Sequence, residues 1–518
     1  MSRAINHNEV LLTDLDLSLA NRLSKLLPVI APVLFAGVFV LVRAYGGPRS
    51  FLYEGALTLL ALISYISAAV VLVTNIFVRE SVLSRLGRMS LALGVCFNLS
   101  GWMIRWIEAG EAEGWKKGIN GIWRYVPLDN LYPLTLGFCF GAAITTLIIV
   151  RKPKYEFVGA LSMPIVAVIL TLAMLLGNQI STLPPILDSY WRPIHVSIAT
   201  IGYGVCLVSF GLAFAYLLKD GIRSEAIGMA VALFGLLIYG TVGGYGIPFY
   251  AEYGVSVTIG RSSLPIRAVL PGIGPLMAIT VAVIFGSALL FAIDLFIRNA
   301  RARKWAWNSL RVAVVLQAIV IAGVFYQVGR VDNIVSRIPQ RQYAGLGKWL
   351  ADQNSMTLAA GIEAQAGAEW IEQRAGDFVV GAKSNPVELG GLIGLFVALL
   401  IVSLFAWRRK DVDRALPALQ SIDSMLYRTV GIAFPLLSLL LITGAVWANE
   451  SWGRYWGWDP KEVGALVAWM AYAAFLHTRI SHGWRGRRSA YFALLGFALV
   501  IFTWLGVSYL LPGLHSYA

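Results

Sequence analysis

The chain has 518 residues, 58% of them hydrophobic and only 14% charged, with a formal net charge of +14. Its mean hydropathy is +0.70, and the apolar residues come in long runs, which excludes a soluble globular domain with its roughly 25% charged residues. The basic excess does not indicate a nucleic-acid binder. Lys and Arg sit in short clusters between apolar runs, as in Arg151-Lys152-Pro153-Lys154, Arg298 to Lys304, Arg408-Arg409-Lys410 and Arg485 to Arg488.

In chain order the runs predict an all-α, polytopic transmembrane helix bundle of about 13 spans. They lie at 27–46, 55–78, 89–106, 131–150, 157–177, 193–218, 226–241, 273–297, 306–328, 387–407, 425–447, 461–479 and 489–511, the seventh being short and rich in Gly. Residues 1–26 carry Glu9, Asp14 and Asp16, so the first run reads as a retained span and not as a signal peptide. Lys and Arg concentrate on alternate loops, which places the N-terminus inside and the C-terminus outside. The longest outer loop, 329–386, has helical stretches at Ala344–Gln353 and Ala364–Arg374 and reads equally as a docking module or a tolerated insertion. Cys96, Cys139 and Cys206 each fall within an apolar run, and there is neither a CxxC pair nor a CxxCH motif. They are expected to be small core residues.

The chemistry concentrates between the twelfth and eleventh spans' facing ends, at 447–462. Trp447, Trp452, Trp456 and Trp458, with Tyr455, lie in this short stretch on the expected outer side. An aromatic belt accounts for scattered interfacial Trp. A cluster this dense also suits a large planar ligand, because each indole offers a flat apolar face and one N–H donor. Arg454 and Lys461 are available for carboxylates at such a ligand's edge. Asp459, Pro460 and Glu462 form a helix-start signal, so Asp459 reads as a cap as well as a candidate site residue.

The chain has five histidines. His195 stands in the first turn of the sixth span and His515 follows the last span, both on the expected outer side. A lone histidine at a membrane edge is ordinarily polar trim. Two of them beside a Trp platform offer the two axial imidazoles of a low-spin haem. His477 lies about 26 Å along its helix from Pro460, near the cytoplasmic end of the span, where a polar residue is a functional candidate. His7 and His482 are assigned no role.

The segment from Trp447 to Glu462, followed by Ala474-Phe475-Leu476-His477-Thr478-Arg479, resembles the signature of the CcsA-type (ResC) haem-handling subunits of the system II cytochrome c synthase, with their tryptophan-rich (WWD) loop. Tyr427-Arg428-Thr429, Phe434-Pro435, Trp191 to His195, Arg105-Trp106-Ile107-Glu108, Pro127 to Tyr132 and the tail Gly513 to Tyr517 extend the likeness. The resemblance implies His195 and His515 as outer axial ligands of a non-covalent, transient haem b, and His477 as an intramembrane ligand on its route outward. It also implies a ResB-type partner that supplies a second intramembrane histidine, with thiol-reducing proteins in the outer compartment. The implied reaction attaches haem to the CxxCH motif of an apocytochrome c, with no catalytic side chain beyond those presenting haem. A haem exporter or carrier without attachment activity is the alternative. An electron-transfer cytochrome b would instead need histidine pairs on facing helices within the bilayer.

Four regions follow: an extra first span in 1–54, family-like helices in 55–221, an insertion at 222–415 without recognised counterpart, and the haem-handling region 416–518. The chain departs from the family pattern in the residues added between Glu108 and Pro127 and in Pro133 after Tyr132. The expected setting is a bacterial plasma membrane, ahead of a thylakoid membrane of the same sidedness.

Overall fold

The structure is a computed structural model, described for residues 7–47, 51–115, 121–180, 183, 185–244, 252–259, 262–328, 337–357, 359, 361–374, 378–379, 386–511 and 513. Every expected span falls on a helix. In chain order these are α1 (His7–Gly46), α2 (Glu54–Val78), α3 (Ser81–Ala112), α4 (Leu131–Val150), α5 (Glu156–Leu176), α6 (Trp191–Lys219) and α7 (Ser224–Gly244). The hairpin β1 (Glu252–Ile259) and β2 (Ser262–Val269) comes next, then α8 (Ile273–Ile297) and α9 (Ala300–Val328). The short helices α10 (Tyr343–Gln353) and α11 (Glu363–Arg374) precede β3 (Phe378–Val379), α12 (Pro386–Trp407) and α13 (Arg409–Ala415). The chain ends with α14 (Leu419–Trp452), α15 (Pro460–Ser481), α16 (Arg487–Ile501), a π-helical turn at Phe502–Gly506, and α17 (Val507–Leu510).

Twelve helices among the described residues are long and apolar enough to cross a membrane. The expected span 89–106 does not meet that criterion, although α3 has 32 residues. The reason is internal polarity: Asn98, Ser100 and Arg105 are all buried in α3. Asn98 donates to the Tyr65 hydroxyl of α2 at 3.2 Å, so these groups face protein and not lipid.

The chain divides into two compact units. The first comprises Met1–Ala173, Asn178–Asp220 and Asp411–Ala518. Its centre is α6, whose apolar window is 83% buried, against 17% for Leu26–Gly46 of α1. Small residues let α6 approach its neighbours. A Cβ on Gly204 would lie 2.3 Å from Ala142 N of α4, so the two backbones touch there. Polar pairs add cross-links, among them Thr146–Ser162 at 2.9 Å and Ser209–Tyr472 at 3.0 Å.

One end of this unit is tied by the buried Glu54. Its carboxylate accepts from Thr58 at 2.9 Å, from Asn178 at 3.1 Å and from the Tyr132 hydroxyl. Arg105 donates to the carbonyls of Asn178 and Gln179 at 2.8 and 3.0 Å, fixing the strand of chain that leads into α6. At the opposite end Arg479 of α15 makes a two-pronged bond to Asp423 of α14, with Arg479 Nη1 2.8 Å from Oδ1. Arg487 pairs with Asp220 at 2.6 Å beside it.

The second unit comprises Met174–Gly177 and Gly221–Lys410. Helices α7, α8, α9 and α12 carry its core, and within it Gln317 accepts from the Tyr239 hydroxyl and donates to Leu392 O at 3.0 Å. The helical stretches expected at 344–353 and 364–374 are present as α10 and α11. The strands lie in a stretch given no element from sequence. They form an antiparallel sheet in the order β2-β1-β3, with Val255 opposite Ile266 and Val257 opposite Phe378. The buried Glu252 and Glu388 anchor the hairpin through Arg267, which lies 2.9 Å from Glu388. The three cysteines are free and buried, as their apolar context predicts.

Candidate functional site

The first turn of α6 carries the key side chain. Arg192 is buried and donates to Val126 O at 3.1 Å and Arg124 O at 2.8 Å, which pins the helix start to the segment preceding α4. Arg124 in turn pairs with Glu113 at 3.1 Å and with Asp188. One turn beyond Arg192, the half-buried His195 packs into α14. Its Nδ1–H donates to Leu440 O at 3.1 Å, with Thr443 Oγ1 at 3.4 Å. A carbonyl partner makes Nδ1 the protonated nitrogen and leaves the imidazole lone pair on Nε2, the tautomer suited to an iron ligand. Gly444 makes room for the ring: a Cβ there would lie 2.8 Å from His195 Cε1.

The aromatic wall follows along α14. His195 and Trp447 have ring centroids 5.7 Å apart, and Trp447 and Trp452 5.9 Å apart. Trp447 is 4% exposed and is backed by Leu183, Leu187 and Trp191. Gly453, with φ +69°, ends α14 in the left-handed conformation and turns the chain into the loop. Trp458 takes φ +57°, a conformation a large side chain ordinarily avoids, and such strain gathers at functional loops. The loop closes on a capping box. Asp459 accepts from Lys461 N at 3.1 Å, while Glu462 accepts from Asp459 N at 3.1 Å and Gly457 N at 2.8 Å.

These elements enclose a cleft, open on one side, of about 1120 Å³ including its mouth. His195, Trp447, Trp452, Trp456, Tyr455 and Lys461 line it, together with apolar side chains of α4, α6 and α14. Three expected residues stand apart. Trp458 is 72% exposed and stands edge-on to Trp456 at 5.9 Å, outside the lining. Arg454 is exposed and folds back over Gly457, where a Cβ would lie 2.7 Å from its Cζ. Asp459 is buried behind the loop as the helix cap.

His515, the second expected outer ligand, lies outside the described residues. His477 is at the far end of α15 from Lys461, exposed on the helix surface, so it belongs to a different place in the unit. The ring of His482 lies 5.5 Å from it. Sequence reasoning missed His482, the Leu440–Gly444 cradle and Trp504. Trp504 is 2% exposed, lines the cleft from the π-helical turn and meets Phe138 edge-on at 5.1 Å. It sits in the π turn, and a break in helical register leaves no mark in hydropathy.

The family model described as "Cytochrome C assembly protein" matches residues 128–242 and 387–515. Proteins named "Cytochrome c biogenesis protein CcsA" also align with part of the chain. The one from Guillardia theta is 56% identical over 99 residues, covering 19% of this chain and 33% of that protein. The one from Microcystis aeruginosa is 46% identical over 134 residues, covering 26% of this chain and 40% of its own. Over the two segments that the family model matches, which make up slightly less than half of its residues, the chain is similar to cytochrome c assembly proteins. It aligns with only about a third of the length of the first of these curated relatives. The family match passes over 243–386, which holds the hairpin, α8, α9, α10 and α11. The whole cleft lining falls within the two matched segments. With twelve helices among its described residues long and apolar enough to cross a membrane, the chain is a multi-pass membrane protein.

Proposed function

We propose that the chain acts in cytochrome c biogenesis by carrying haem b to the extracytoplasmic side of a bacterial plasma membrane and presenting it for attachment to an apocytochrome c. The observation that carries this reading is His195: an imidazole held in the iron-binding tautomer, against a tryptophan wall, at the mouth of an apolar cleft. Haem is cargo here and supplies the reacting vinyl groups. The residues' task is to hold its iron from one side and its plane along the indoles, and to leave an edge accessible. Each thioether forms when a CxxCH thiol adds across one vinyl group. Sulfur bonds one carbon and the proton goes to the other, so no oxidant is needed.

Sidedness is supported by charge. Arg151 to Lys154 and Arg485 to Arg488 lie at the opposite end of the first unit from the cleft, because α4 and α15 both begin at the cleft and end there. In this reading His515 is the second outer ligand and the incoming CxxCH histidine displaces one of the pair. His477, exposed on the surface of α15, faces a ResB-type partner that supplies the opposing intramembrane imidazole.

The test is co-expression of the chain with a ResB-type partner and a reporter apocytochrome c, scored by haem that stays on the reporter in a denaturing gel. The unaltered pair yields covalent cytochrome and His195→Ala lowers it at least about tenfold, as losing a metal ligand or its orientation does. Haem bound by the chain without any attachment to the reporter would favour the carrier alternative.

A further inference from the structure

A haem presented in this cleft brings two carboxylates with it, and the charged groups of the lining differ sharply in what they already hold. Arg192 is committed to the carbonyls of Val126 and Arg124. Glu462 is committed to the backbone N–H groups of Gly457 and Asp459, and Asp129 accepts from Asn130 at 3.3 Å. Lys461 is different. Its backbone N–H caps onto Asp459, yet its side chain makes no hydrogen bond or ion pair among the described residues. It is half-buried in the cleft wall, beside Ala465 and on the same lining as Trp504. Arg454, the other cation of the loop, is exposed and lies outside the lining. The Asp459 carboxylate acts on it from within the loop but is committed to capping α15, so an ammonium removed from much of its water gains further from a ligand carboxylate.

We propose that Lys461 is the clamp for a carboxylate of the bound porphyrin, so that the cleft selects an acidic macrocycle and orients its carboxylate edge toward the start of α15. This rests on the reading of the cleft as a haem site and adds an orientation to it. Anchoring the acidic edge at Lys461 leaves the remaining edges of the ring for the reacting thiols. Lys461 is thus a positioning residue, acting on how long and in which orientation the porphyrin stays.

The experiment uses the intact chain in detergent, loaded with haem or with haem dimethyl ester, whose carboxylates are neutral. Each porphyrin's rate of loss to an excess of haem-scavenging apoglobin is followed with the visible spectrum. From the unaltered chain haem should leave at least about tenfold more slowly than the ester, as a charge-assisted hydrogen bond implies. Lys461→Met should remove that difference by speeding haem loss alone, with the low-spin spectrum unchanged, and Lys461→Arg should keep it. Equal rates for haem and ester from the unaltered chain would overturn the clamp. So would a preference for the acid that survives in Lys461→Met or disappears in Arg454→Met. If the unaltered chain gives no low-spin spectrum with either porphyrin, the haem-site reading falls and the clamp with it.

Discussion

His195 owes its orientation to residues that hydropathy does not distinguish. Leu440 contributes a carbonyl, and Gly444 contributes the lack of a side chain. Both are ordinary in a transmembrane helix, so the histidine was legible in the sequence and its cradle was not. The same holds for the cations: sequence offered Arg454 and Lys461 as equals, and only the folded loop separates them. A Cβ 2.8 Å from His195 Cε1 forces the ring to move, whereas a Cβ on Gly431 of the same helix meets nothing within 4 Å. Gly444→Val is therefore expected to lower haem affinity by about tenfold or more, in the range for losing an orienting contact to a metal ligand. Gly431→Val is the neutral control. Absorbance titration of both variants checks the pair, and equal affinities would show that the cradle does not position the ring.

Among the elements, the loop between α14 and α15 carries the most local instruction. Gly453 ends one helix, Asp459 and Glu462 begin the next, and Trp458 is held at positive φ between them. The capping pattern at 459–462 was legible because it depends on residue identity at fixed spacing. Asp459→Ala should destabilise the chain by about 1 kcal/mol, and Asp459→Asn by much less, since asparagine caps as well. Chemical unfolding in detergent measures both, and equal losses would mean that Asp459 acts through its charge and not as a cap. Spans were legible for the reason that lipid demands apolar surface. Helix α3 shows the limit of that signal: its Asn98, Ser100 and Arg105 are tolerated because neighbouring helices cover them. The hairpin β1–β2 carried an alternating pattern in Tyr253-Gly254-Val255-Ser256-Val257-Thr258-Ile259 that the long apolar spans on either side overshadowed. The π turn at Phe502–Gly506 had no comparable signal, because it inserts a register shift into an otherwise uniform run.

At the scale of the molecule, the first unit has two chemically distinct ends. One gathers the helix starts of α4, α6 and α15 around an apolar cleft with a histidine and an indole wall. The other gathers basic clusters, the Asp423–Arg479 pair and the exposed His477 beside His482. That polarity follows from helix direction alone and is what the proposed movement of haem between membrane faces requires. The family match passes over 243–386, and no described residue of the second unit lines the cleft. The most direct test of the central claim is the visible spectrum of the purified intact chain, oxidised and reduced, compared with His195→Ala and with His195→Ala plus His515→Ala, each with and without imidazole. The account predicts a low-spin haem spectrum that is lost or converted to high spin in the variants and restored by imidazole. An unchanged low-spin spectrum in the double variant would contradict it and would place the haem away from the cleft.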